Sequence, residues 1–313
     1  MTSSKWIENI SPNAPISQVA MDTIRPRLRT VEATLRRAAR QKQQPVKTVR
    51  QLRVATRRAE SILDLFTQVL PRRRCRSIKK RLKQIRRMAS DARDLDVLCA
   101  RLQKESDDSQ SDPLTHIGFN LQEKRQRAQH LIKCTAKRLK KKAFSQECAA
   151  IQNRIHWRGD GEEPSFNQLA VATLRPLVQD FFDLGEADLH LAVNLHELRI
   201  AGKRLRYGIE LVAAGLPPFV RTDLYPNFST IQTILGEIND HATAKEMFDN
   251  WLVQSHHKPT IRELARLSYK EQLEFKIACQ TFFDWWTPST VEKLSAQFEQ
   301  ALCRKSAPKA RNP

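Results

Sequence analysis

Two stretches of this chain repeat one design. Residues 48–66 read TVRQLRVATRRAESILDLF and residues 194–212 read NLHELRIAGKRLRYGIELV; in register, Arg53 and Arg199 stand 146 positions apart. LRPLVQDFF (174–182) echoes IRPRLRTVE (24–32), and LGEINDHATA (235–244) echoes ASDARDLDVL (89–98), with Asp94 and Asp240 again 146 apart. Two motifs sharing one offset point to an internal duplication. Each copy has helical rhythm: Leu52, Ala55, Ala59, Ile62, Leu63, Phe66 and Leu70 fall on one face at about 100° per residue. Leu195, Leu198, Ala201, Gly202 and Leu205 do the same in the second copy. No segment alternates as a strand would. The expected fold is all-α, two tandem four-helix-bundle repeats with a basic groove or pore between them.

Breakers divide the pattern. Residues 1–16 read as a flexible lead-in, 17–156 as the first bundle repeat and 157–166 (WRGDGEEPSF) as the linker. The second repeat is expected over 167–304 and a disordered basic tail over 305–313. Pro45 and Pro71 bracket a helix, a third basic helix follows to about Ala89, and a fourth begins near Arg93. KESDDSQSDP (104–113) reads as a loop and 114–151 as one long helix. The cluster Phe282, Phe283, Trp285 and Trp286 reads as the cap of a core.

Charge narrows the function. The 313 residues hold 54 Lys+Arg against 34 Asp+Glu, a formal net charge of +20. Such an excess repels itself in a compact fold and favours a polyanionic partner. Six scattered cysteines without a C-x-x-C pair suit a reducing compartment. The N-terminus has no secretory pattern, and no segment approaches the ~20 apolar residues of a membrane span. The expected location is cytoplasmic, with no membrane partner.

The cations are arranged as well as numerous. Arg50, Arg53 and Arg57, followed by Glu60 and Asp64, lie nearly opposite the apolar face of their helix; His196, Arg199, Lys203, Arg206 and Glu210 are the second-copy equivalents. These rows have the spacing of a helix–helix seam. Like charges cannot close a dry seam, because unpaired buried cations are too costly. They are expected to line a wet cleft that takes an anion, and arginine forks match phosphate oxygens two at a time. Arg72, Arg76, Lys79, Lys83 and Arg86 extend the row on the third helix, so the first repeat should bind more strongly. Asp94, Asp96, Asp240, Glu60 and Glu210 are expected to orient these side chains. Protonation of His196 would add a charge to the row, so anion binding is expected to strengthen as pH falls through about 6.5; identical affinity at pH 6 and pH 8 removes the idea.

At LHELRIAGKRLRYGIEL together with ARDLDVL, the sequence resembles the CHAD family, the conserved-histidine α-helical domains. The pattern V-H-x-L-R-V-x-x-R-R is matched by Leu195, His196, Leu198, Arg199, Ile200, Lys203 and Arg204, then Leu235, Gly236, Asn239 and Asp240. The first copy matches with Val49, Leu52, Arg53, Val54, Arg57 and Arg58, then Arg93, Asp94, Leu95, Asp96 and Val97. It departs at Arg50, where the family has a histidine, and at Ala89-Ser90 in place of Leu-Gly. The resemblance implies paired helical bundles that bind inorganic polyphosphate and, in some bacteria, association with polyphosphate granules. It extends the expected ligand set to Arg58 and Arg204. The family is often fused to a triphosphate-tunnel (CYTH) domain marked by E-x-E-x-K on a strand; QLEFK (272–276) lacks the first Glu and sits in a helical pattern.

Two rival functions leave weaker traces. Nucleic acid is a secondary candidate partner, but no helix-turn-helix, zinc-finger or stacking signature accompanies the cations. A metal-dependent phosphohydrolase would need Asp94 and Asp96 to converge, and residues two apart on a helix do not share a face. The expectation is therefore a binding protein with no catalytic residues, no metal site and no cofactor; a protein partner is not identified.

Overall fold

The computed structural model describes residues 5–40, 45–105, 113–141 and 144–303. The tail expected over 305–313 lies outside them. Among the described residues there are ten α-helices and no β-strand: α1 (Ile16–Arg40), α2 (Pro45–Leu65), α3 (Arg72–Glu105), α4 (Thr115–Lys141), α5 (Phe144–Gln152), α6 (Phe166–Gly185), α7 (Ala192–Val212), α8 (Tyr225–Gln254), α9 (Lys258–Trp285) and α10 (Pro288–Leu302). The fold is all-α.

The chain forms two compact units. The first comprises Met1–Lys5, Ala14–Pro164 and Trp251–Arg266; the second comprises Trp6–Asn13, Ser165–Asn250 and Leu267–Pro313. The main boundary thus falls within 157–166, but two segments sort differently from the expected division at the linker. Residues 6–13 belong with the second unit, and 251–266 with the first.

In the first unit α1 packs on α2, α2 on α3, α3 on α4, and α4 returns to α1. The apolar face of α2 supplies the centre of this bundle. Val49, Leu52, Ala59, Ile62, Leu63 and, just past the helix, Phe66 are all fully buried. Burying each large side chain of this kind contributes about 1.5–3 kcal/mol. Helix α3 runs unbroken for 34 residues, where a break near Arg93 was expected. Its buried row Ile78, Leu82, Ile85, Ala89, Ala92 and Asp96 continues straight through that point, and no Gly or Pro interrupts it. The long helix expected over 114–151 is instead two helices, α4 and α5.

In the second unit the Ser165 hydroxyl and Gln168 side chain form a reciprocal cap at the start of α6, satisfying two otherwise unpaired backbone donors. Helices α6 and α7 pack together, and α10 packs on α6. Gly202 lets α8 approach α7, because a Cβ there would collide with the Gln232 amide and crowd the Phe181 ring at 3.1 Å. Helix α9 is tied to α8 by His241 with Glu271 at 2.7 Å and by the Ser268 hydroxyl, which donates to Asp249 at 2.5 Å. The aromatic cluster closes the core as expected: Phe282 is fully buried and stacks with Trp286, whose edge meets Phe181.

The N-terminal segment is not a loose lead-in over its described part. Ile7 is buried, Trp6 meets the Tyr225 ring edge-on at 4.7 Å, and Arg221 lies over Trp6 while donating to the Ile7 carbonyl at 2.7 Å. The Pro12 carbonyl accepts the Asn167 amide at 2.8 Å. Two apolar side chains and a captured arginine anchor a stretch that composition alone marks as polar.

Candidate anion-binding site

Helices α2 and α3 run antiparallel and face each other with opposite charges at three levels. Lys79 pairs with Asp64, Arg86 with Glu60, and Arg53 with Asp94 at 3.8 Å. Glu60 and Asp94 therefore contact the cations they were expected to orient. Lys83 is exposed on α3 between Lys79 and Arg86, and Arg57 is half-buried beside Arg53 on α2. Burial pushes the Asp94 carboxyl above its ordinary value, while Arg53 pulls the other way. The Arg53–Asp94 pair is open to water, and exposed pairs of this length add only about 0–1 kcal/mol.

Helix α7 repeats the arrangement against α8 with different chemistry. Arg199 takes the position of Arg53 and feels the Asp240 carboxylate, the counterpart of Asp94. Burial lowers the Arg199 guanidinium from its ordinary value more than Asp240 restores it. Its Nε is buried without a hydrogen-bond partner among the described residues, as are both polar atoms of the Gln232 amide. Two turns further, Arg206 donates to the buried Glu210 carboxylate at 2.7 Å and lies over the Tyr207 ring at 4.5 Å. The Tyr225 hydroxyl donates to the same Glu210 oxygen at 2.7 Å. Burial pulls Arg206 downward, but the Tyr225 hydrogen bond and Glu210 outweigh it and leave it raised. Burial and the Glu210 bond likewise raise Tyr225. His196 is exposed at one end of the row and Lys203 is half-buried within it.

Four expected members stand elsewhere. Asp96 does not orient the row: it is buried, and it accepts from Arg125 Nε on α4 at 2.5 Å. Arg204 is exposed 3.9 Å from Asp180 on α6, away from the Arg199–Arg206 line. Arg58 turns towards α1, where it and Arg50 line a cavity of about 290 Å³. Neighbouring residues on a helix differ by about 100°, so Arg57 and Arg58 cannot face the same partner helix. Sequence reasoning missed the other basic residues of that cavity, Arg27, Arg37 and Lys47. Of the three only Arg27 lies in the IRPRLR string, which was read for its repeat and not for its charge.

A family model described as CHAD domain matches residues 22–249. The chain belongs to the CHAD family. Its CHAD motif residues are those just described: the first copy places Arg53 and Asp94 in contact, and the second places Arg199 beside Asp240. Solved structures agree in fold. The CHAD domain from the plant Ricinus communis superposes with a TM-score of 0.63 at 18% identity, covering 96% of each chain. PptA from Streptomyces chartreusis superposes with a TM-score of 0.56 at 17% identity, covering 85% of this chain and 98% of that one. No curated protein matches the sequence. The QLEFK string lies inside α9 and has no strand to carry a tunnel-domain motif. No helix among the described residues is long and apolar enough to cross a membrane.

Proposed function

We propose that this CHAD chain binds inorganic polyphosphate through its two basic rows, Arg53, Arg57, Lys79, Lys83 and Arg86 in the first unit and His196, Arg199, Lys203 and Arg206 in the second. The observation that carries this reading is Arg199. Its guanidinium is half-buried, depressed by that burial, and left with an unpartnered Nε beside a single carboxylate. Removing a cation from water with incomplete compensation is costly, and a phosphate oxygen on the outer nitrogens offsets that cost. Polyphosphate presents only charge and oxygens, with no base or sugar, so recognition falls to arginine forks at repeated spacing. Family membership supports the same ligand class.

The acids of the rows act in this reading as holders rather than reactants. Asp94 is committed to Arg53 while Asp96 is committed to Arg125 on another face, so the two carboxylates do not converge on one ion. The protein is read as a binder, with association to polyphosphate granules as its cellular consequence. The test is a titration with polyphosphates of graded length, repeated on Arg53→Glu/Arg199→Glu. The double variant is expected to bind about two to four orders of magnitude more weakly, given roughly 1.5–3 kcal/mol for each of two charged contacts. Duplex DNA that displaces long-chain polyphosphate at equal phosphate concentration would overturn the ligand assignment. Orthophosphate release with Mg²⁺ or Mn²⁺ that Asp94→Asn abolishes would overturn the non-catalytic one.

A further inference from the structure

The cavity between α1 and α2 differs in kind from the basic rows. Its walls are mostly apolar in the middle and basic at the ends. Thr30 and Thr34 of α1 face Val54 and Ala55 of α2, while Arg27 and Arg58 stand at one end and Arg37, Lys47 and Arg50 at the other. The antiparallel pairing of the helices sets the ends apart: Arg27 and Arg37 are ten residues distant on α1, about 15 Å along its axis. No acidic residue lines it among the described residues. The rows, by contrast, carry a carboxylate at each level where a cation crosses between helices.

The polar atoms in the middle are partly spent, and what remains is specific. The Thr30 hydroxyl donates to the Pro26 carbonyl at 2.8 Å, and the Thr34 hydroxyl donates to the Thr30 carbonyl at 2.7 Å. Both hydroxyl oxygens keep lone pairs, so the middle of the cavity offers acceptors and methyl groups. Gln51 accepts from Arg37 Nη1 at 3.2 Å and keeps its amide donors. Arg27 is buried and braced by the Lys5 carbonyl, so one end presents a fixed guanidinium plane.

A bare polyphosphate makes no use of an apolar middle with hydroxyl acceptors. A molecule with a phosphate head, a hydroxyl-bearing sugar and a flat base uses all three zones. The phosphate takes the cations at one end, the sugar hydroxyls donate to Thr30 and Thr34, and the base stacks on a guanidinium and on Val54. The volume sits at the small end of ligand cavities, which limits the occupant to a mononucleotide-sized molecule. We propose that the α1–α2 cavity is a second site, independent of the polyphosphate rows, that binds a nucleoside phosphate.

The test uses the full chain. Binding of nucleoside mono-, di- and triphosphates is measured by calorimetry beside inorganic tripolyphosphate, on the wild type and on Val54→Trp. Val54 is 39% exposed, so a larger side chain fills the cavity without entering the core. The variant is expected to weaken nucleotide binding by about tenfold or more, a loss of about 1.4 kcal/mol, and to leave long-chain polyphosphate binding at its wild-type level. An azido-nucleotide crosslinked to the wild type is expected to label peptides from α1 and α2, which needs no variant to fold. Nucleotide affinity unchanged in Val54→Trp, labelling confined to other helices, or tripolyphosphate binding equal to that of a nucleoside triphosphate in Arg53→Glu/Arg199→Glu, where the rows are disabled, would each overturn the proposal. Loss of polyphosphate binding in Arg53→Glu/Arg199→Glu with nucleotide binding intact separates this site from the rows.

Discussion

Each arginine of the basic rows can satisfy its guanidinium with a carboxylate of its own chain or with an oxygen from outside. Arg53 and Arg206 show the two extremes. Arg53 meets an exposed Asp94 at 3.8 Å, whereas Arg206 is held by a buried Glu210 that is itself fixed by Tyr225. The first exchanges partners readily, and the second works as a preset cation. Thiols show the same control by surroundings. Burial, with Glu32 and Glu147 nearby, pushes the Cys148 thiol up to about 12, while Cys134 is exposed on α4. At about pH 8 roughly one Cys148 in ten thousand is a thiolate by that difference. Brief iodoacetamide treatment of the native protein followed by peptide mass spectrometry should therefore modify Cys134 and spare Cys148. At this scale the sequence was readable in type but not in direction. Arg50, Arg53, Arg57 and Arg58 were visible as cations on one helix, yet which of them meets α1 and which meets α3 is decided by how the bundle closes.

Elements were more legible than single side chains, because periodicity survives packing. Every predicted position of the α2 face is buried, with Phe66 and Leu70 continuing it past the helix, and Thr48, Val49 and Thr56 are buried beside them. Helix α3 was misjudged because ASDARD looks like a terminus in isolation, while the buried Ala89 and Ala92 keep it helical. Its most consequential residue is Asp96. The Asp96–Arg125 pair joins α3 to α4 with both side chains largely withdrawn from water, and Asp96 Oδ2 has no further partner among the described residues. Removing one member of such a pair strands the other charge. Arg125→Ala is expected to lower stability by about 3–5 kcal/mol, and Asp96→Leu/Arg125→Met by far less. Urea unfolding of the wild type and the two variants measures this; a double variant that loses as much as Arg125→Ala would mean that a stranded charge does not account for the loss.

The molecule as a whole carries +20, and each unit must fold against its own repulsion. Polyanions relieve that repulsion by binding, whereas a simple salt only screens it. The melting temperature should rise more with long-chain polyphosphate than with sodium chloride at matched ionic strength, because a ligand specific to the native state adds binding free energy to screening. Equal rises would reduce the rows to a general basic surface. Charge and family were plain in the sequence at this scale. The assignment of 6–13 and 251–266 was not, since it depends on contacts such as Arg221 with the Ile7 carbonyl and the Thr260 hydroxyl with the Pro113 carbonyl.

That assignment bears on how the chain came to be and how it can be taken apart. The sequence repeats with a period of 146, but a cut at Pro164 would release one piece without Trp251–Arg266 and another without Trp6–Asn13. The period of the text and the border of the folding body have parted.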